Sequence, residues 1–119
     1  FGLLGHLLEL ARGAKLTATL QMPAIPLLPN VLQLAGQGCI TGASGRNWEA
    51  YGHDVSLADG VSAVQKALLS DPQTSGGLLV ACDPASVDEV LALFQREGFA
   101  HAAVIGEMSA GAARVEVQG

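Results

Sequence analysis

An α+β sandwich, a mixed sheet of about four strands covered by helices, is the fold this sequence predicts, because layering is how such elements bury their apolar faces. Three observations point to it. The chain opens on an amphipathic helical stretch, short alternating or wholly apolar runs are interspersed with further helical stretches, and Gly and Pro punctuation separates them without a linker or internal repeat. Its 119 residues, half of them apolar, suffice for one domain burying roughly two-thirds of its unfolded surface, and not for two. Residues 1–119 are therefore read as a single domain.

In Phe1–Gly13, residues Leu3, Leu4, Leu7, Leu8 and Ala11 fall on one helical face, with Gly13 placed to act as the C-cap. Lys15–Leu20 alternates, Leu16, Ala18 and Leu20 on one side and Lys15, Thr17 and Thr19 on the other, as a half-buried strand does. Pro23, Pro26 and Pro29 end it. Asn30 is placed to cap a short helix over Val31, Leu32, Leu34 and Ala35, and Gly36 and Gly38 lead into a Gly-rich loop, Gly38–Gly45. A brief helical turn carries Asn47, Trp48 and Tyr51, and Asp59 then caps a helix with Val61, Val64 and Leu68 at core spacing. Ser70–Gly77 contains a proline and two glycines that forbid regular structure, and Leu78–Cys82, apolar on both faces, reads as an interior strand. Asp83 and Pro84 give start signals for a helix with Val87, Val90, Leu91 and Phe94 as its stripe and Gly98 as its stop. Ala103–Met108 and the alternating Arg114–Val117 read as the closing strands.

The net charge of −5 with scattered basic residues argues against a binder of nucleic acid, which needs clustered Lys and Arg to displace counterions. No apolar run approaches the roughly 20 residues of a membrane span and no signal-peptide pattern opens the chain, so a soluble cytoplasmic protein is expected. Sparse charge leaves room for a face that meets another domain. Cys39 and Cys82 lie far apart, with no histidine at zinc-finger spacing, so no structural metal is expected. Cys82 reads as a small buried hydrophobe, whereas Cys39 sits in a turn where its thiol can be exposed.

Two loops have the residue types for chemistry. In Asp71–Gly77 the glycines Gly76 and Gly77 let backbone amides approach a ligand and Thr74 and Ser75 add hydroxyls, a combination suited to phosphate or carboxylate. It is not a P-loop, because the lysine and the spacing are absent and the strand follows the glycines. Thr41–Asn47 sets the Arg46 guanidinium and the Asn47 amide beside flexible backbone, fit for an oxyanion or for docking another loop. Plain turns explain both loops as well, with Asn47 as a helix cap. His6, near Glu9 on the first helix, reads as a hydrogen-bonded structural residue. His53 and Asp54 read as a solvated turn whose side chains point apart. Trp48 and Tyr51 read as core anchors.

Taken together, Phe1-Gly-Leu-Leu-Gly-His-Leu7, Arg46-Asn47 with Tyr51-Gly52, Ile105-Gly106-Glu107 and above all Leu69-Ser-Asp-Pro-Gln-Thr-Ser-Gly-Gly-Leu-Leu79 resemble the C-terminal domain of the selenophosphate synthetase (selenide, water dikinase) family, over essentially the whole chain. The resemblance implies an aminoimidazole ribonucleotide synthetase C-terminal-domain-like fold. It further implies an ATP-dependent phosphotransferase that, at full length and with Mg2+, converts ATP, selenide and water to selenophosphate, AMP and phosphate. In that family the nucleophile, the essential lysine and most metal-binding aspartates belong to an N-terminal domain, which is also the main dimer contact. The expected partners are thus the protein's own N-terminal domain, a second copy, ATP and selenide.

Relatives usually carry Thr-Asp-Val-Thr-Gly just before the Phe-Gly that opens this chain, so a truncated product is expected. Such a fragment should be inactive, hold no tightly bound cofactor and contribute one wall of a cleft. Within that frame Arg46, Asn47, Asp71, Gln73, Thr74, Ser75, Gly76 and Gly77 are the candidate substrate- or phosphate-facing residues, with none expected to be catalytic or to bind metal. Gly38–Gly45 departs from the family's Gly-Gly-Thr-like start to this loop, which bears on how it meets a ligand. Two alternatives remain open: another ATP-dependent synthetase of the superfamily, and a stand-alone, non-catalytic binding module.

Overall fold

The structure is a computed structural model that describes every residue from Phe1 to Gly119. Helix α1 (Gly2–Ala14) is followed by β1 (Thr17–Gln21), α2 (Val31–Gly36), α3 (Gly42–Tyr51), β2 (Val55–Leu57), α4 (Ala63–Leu69), α5 (Val87–Arg96), β3 (Gly106–Ser109) and β4 (Arg114–Gln118). The four strands form one mixed sheet in the order β2-β4-β1-β3. β1 runs parallel to β4, with Ala18 opposite Val115, and antiparallel to β3, with Ala18 opposite Met108. β2 runs parallel to β4 on the other side. The expected α+β sandwich is the observed one.

The sequence dictates where the core sits. Leu4, Leu7, Leu8 and Ala11 recur at helical spacing along α1, and all are buried against Ala18 and Leu20 of β1, Val55 of β2 and Val115 and Val117 of β4. Leu4 and Leu8 are essentially without solvent contact, so truncating either to Ala would cost about 2–5 kcal/mol. Tyr51 is buried and Trp48 packs against the same cluster, as expected of aromatic anchors.

Several boundaries differ from expectation for physical reasons. α1 runs past Gly13 to a C-cap at Lys15, which itself takes the left-handed conformation at φ 57°. Asn30 occupies the N-cap of α2 but, at φ 65°, makes no side-chain cap bond. The Gly-rich Gly38–Gly45 is not all loop: Thr41 accepts the Ser44 amide, and α3 begins at Gly42, because a good cap offsets the low helix propensity of glycine. α4 is capped by Ser62 in a capping box with Gln65, and not by Asp59.

The largest correction concerns Leu78–Cys82, which is not a strand and leaves Leu78 83% exposed. Apolarity on both faces signals a preference for burial, but a strand also needs a partner for its backbone, and here none is bonded to it. Cys82 is accordingly exposed, as is Cys39. The expected strand at Ala103–Met108 is shifted to Gly106–Ser109, and the sheet reaches four strands through Val55–Leu57, whose brevity hid it.

Candidate functional site

The two candidate loops converge. The first turn of α3, the start of α1 and the stretch after α4 meet, because Gly2 lets the chain pass against Ser70 and Asp71. At φ +74°, a Cβ on Gly2 would lie 2.7 Å from the Ser70 carbonyl carbon and 2.9 Å from the Asp71 oxygen. Ser70, itself buried, donates its hydroxyl back to the Lys66 carbonyl at 2.9 Å. It thereby ends α4 and holds the loop's first residue.

Two polar ties fix the loop's base to α3. Asn47 Nδ2 donates to the Ser70 carbonyl at 2.9 Å, so the Asn47 amide spans two elements and does not cap its own helix. Thr41 Oγ1 donates to Asp71 Oδ1 at 3.4 Å, and the Gln73 amide donates to Asp71 Oδ2 at 3.3 Å. Gln73 adopts the left-handed conformation at φ 53°, and its carbonyl accepts the Gly76 amide at 2.9 Å, closing a tight turn. Tyr51 completes the scaffold by donating to the Phe1 carbonyl at 2.6 Å. Its burial pushes the phenol's pKa up, partly offset by the Gly5 backbone.

The tip contrasts with the base. Thr74, Ser75, Gly76 and Gly77 are exposed, and neither hydroxyl bonds to another protein group. Arg46 is exposed with its guanidinium folded over Gly42, and it forms no ion pair. Lys66 likewise pairs with no carboxylate and lies 4.9 Å above the Trp48 ring, an arrangement worth about 0.5–1 kcal/mol at exposed sites. Of the candidates, then, Asn47, Asp71 and Gln73 build the base, whereas Thr74, Ser75 and the two glycines form a free tip.

Gly2 and Ser70 lie outside the two loops that the sequence pointed to, and Thr41 and Ser44 lie inside the Thr41–Asn47 loop without being among its named candidates. The one available signal was Thr41 standing where a helix cap would precede a polar turn. No group of three or more His, Cys, Asp or Glu side chains gathers anywhere. Asp71 is engaged by Thr41 and Gln73, so these residues do not supply the several oxygen ligands of a magnesium site. His6 is exposed and hydrogen bonds to nothing, its ring tilted 5.9 Å from that of Phe1. Glu9 is taken by Arg12 instead. His53 is exposed as expected, yet its Nε2 lies 3.6 Å from Asp54 Oδ2, because the 3-10 turn over Gly52–Asp54 brings adjacent side chains together.

The sequence profile of the AIR synthase related protein C-terminal domain matches residues 1–118. The chain belongs to that domain family. Within it, the chain is 66% identical over 117 residues to a selenide, water dikinase of Burkholderia pseudomallei. It is 60% identical to a selenide, water dikinase of Pseudomonas straminea and 50% identical to that of Rhizobium meliloti. Each match takes in 98% of this chain, but only 33–34% of the relative. The chain therefore spans about a third of the length of the curated relatives it matches.

Proposed function

We propose that this domain is the C-terminal part of a selenide, water dikinase, in which it forms one wall of the cleft where ATP, selenide and water become selenophosphate, AMP and phosphate. The rest of that enzyme supplies the nucleophile and the Mg2+ ligands, contributes most of the dimer contact and works with this domain in the cytoplasm. The observation that carries the reading is the similarity to selenide, water dikinases across 98% of the chain, and this chain's own Gln73–Gly77 turn, with its tethered base and free tip, is compatible with it.

The chemistry suits phosphoryl transfer, which depends on positioning and on neutralising oxyanion charge. On this reading the Thr74 and Ser75 hydroxyls and the amide of Gly77 are donors to a phosphate or selenophosphate oxygen, while the Gly76 amide stays with the Gln73 carbonyl. Arg46 adds a cation from α3 itself, and Asn47 and Asp71 keep the turn in place without touching substrate.

The test is the double substitution Thr74→Ala with Ser75→Ala in the complete enzyme. Turnover is expected to fall by about 10-fold or more, the equivalent of about 1.4 kcal/mol in the barrier. The melting temperature should move by no more than about 2 °C, since exposed side chains contribute little to stability. Parallel losses of turnover and stability would return the loop to a plain structural turn.

A further inference from the structure

Between α3 and α4 lies a small cavity separate from the tip of the Gln73–Gly77 turn. It measures about 170 Å³ and is walled by Ser44 and Trp48 of α3, by Lys66 and Ala67 of α4 and by Ile40 ahead of α3. Pockets for drug-sized ligands run to about 300–1,000 Å³, so this one is too small for a nucleoside. At roughly 30 Å³ for each water, it has room for a handful of water molecules or one small ion.

The polar groups that face it are donors. The Lys66 ammonium lies 4.9 Å above the Trp48 ring and meets no carboxylate, and no Asp or Glu lines the cavity. Trp48 is seated against Gly52, where a Cβ would stand 2.7 Å from the ring's Cε2. The aromatic surface under the cation is thus held in place. Ser44 is only 2% exposed, and its neighbours decide where its proton can go. Thr41 directs its own hydroxyl proton to Asp71 Oδ1, which leaves Ser44 a single acceptor, Thr41 Oγ1, at 3.4 Å. A sound hydroxyl bond is roughly 2.7–2.8 Å long, so a buried donor at the cavity wall is left nearly unpaired. The Ser70 hydroxyl is committed to the Lys66 carbonyl and offers no competing acceptor role to Ser44. Ser44 also stands in the first turn of the ten-residue α3, where the helix dipole adds positive potential.

These features together select the occupant. A cation would meet Lys66, an apolar group would leave Ser44 unpaired, and a nucleoside would not fit. A small oxyanion answers both donors, and the partly apolar walls of Ile40, Trp48 and Ala67 screen its attraction to Lys66 less than bulk water would.

We propose that this cavity binds inorganic phosphate through the Lys66 ammonium and the Ser44 hydroxyl. The site is independent of the enzymatic reading of the Gln73–Gly77 turn. It is nonetheless connected to that turn, because Ser44, Thr41, Asp71 and the Gln73 amide form a hydrogen-bonded series.

The test is an NMR titration of the isotope-labelled complete polypeptide carrying this domain with inorganic phosphate, chloride keeping the ionic strength constant. Signals of the Trp48 indole, assigned through Trp48→Phe, and of the Ser44 and Gly45 amides should move along one saturating curve. Lys66→Gln should weaken binding about 10-fold or more and Ser44→Ala about 3-fold or more, as expected for losing a charged and a neutral hydrogen bond. Lys66→Arg, which keeps the charge, should retain most of the affinity. Thr74→Ala with Ser75→Ala should leave the midpoint unchanged, which separates the fate of this site from that of the enzymatic reading. AMP should leave Trp48 unmoved at concentrations where phosphate saturates it. Shifts that do not saturate, that chloride alone reproduces or that survive Lys66→Gln would overturn the proposal, as would AMP binding there as tightly as phosphate. If Lys66→Gln does not fold, Ser44→Ala and the parent titration decide, and the absence of a saturating shift at Trp48 refutes the site by itself.

Discussion

At the scale of single residues, the most informative side chain is Tyr51, the only tyrosine in the chain. Its hydroxyl bonds the Phe1 carbonyl from a buried position, so Tyr51→Phe should cost about 1 kcal/mol in urea denaturation. Its raised pKa adds a pH signature with a definite sign. The folded state holds the phenolic proton more tightly than the unfolded chain, so this stabilisation is complete below the ordinary value of about 10. It is lost as pH rises through the folded value. Denaturation midpoints of the parent should therefore fall more steeply above about pH 10 than those of Tyr51→Phe, and parallel curves would contradict the burial argument. Polar ties of this kind were not legible beforehand. That Asn47 would serve Ser70 and not its own helix depends on a long-range approach made possible by Gly2.

At the scale of elements, periodicity revealed most helices, but caps decided where they begin. α4 starts at a capping box in which Ser62 accepts the Gln65 amide and the Gln65 side chain accepts the Ser62 amide. Asp59 is a good capping residue near the apolar run, but the reciprocal Ser-x-x-Gln pattern, closer to that run, is the better sign. Ser62→Ala should lower stability by about 1 kcal/mol by calorimetry, while Asp59→Ala should leave it nearly unchanged. Strands were harder to read than helices. β2 is too short to show alternation. Leu78–Cys82 shows what periodicity cannot say, since a pattern records which faces prefer burial and is silent on which backbone will be there to pair. The Asp71–Gly77 turn, by contrast, was legible because proline and glycine restrict the backbone locally, with little dependence on the rest of the fold.

At the scale of the whole molecule, the surface link between α1 and the turn before β2 makes the most direct prediction. Arg12 bonds Asp54 at 2.8 Å and Glu9 at 3.1 Å. The bond from Arg12 is the main cause that holds the Asp54 carboxyl below its ordinary pKa, with His53, Arg12 and Arg114 adding through-space attraction. Because the folded value is depressed, this contribution is present above the unfolded value of about 4 and is lost as pH falls through the folded one. Asp54→Asn should flatten the acid side of the stability profile at low salt, and added salt should shrink the difference, as expected for an exposed pair. A profile unchanged by the substitution would mean that the pair does not persist in solution. The overall fold class was readable because layered burial follows from composition and pattern, whereas the strand order was not, since it joins residues from opposite ends of the chain.

That strand order bears on how the protein comes into being. β1 lies side by side with β4 from Thr17 opposite Arg114 to Gln21 opposite Gln118, so the sheet's centre is stitched from its earliest and latest strands. The entropy of closing so long a loop must be met before that pairing returns any energy, which makes for slow folding. On a ribosome, α1 would emerge early with Leu4, Leu7 and Leu8 uncovered and await Val115 and Val117 through nearly all of the domain's synthesis. The nascent chain is thus a natural client for chaperones that shield apolar helices.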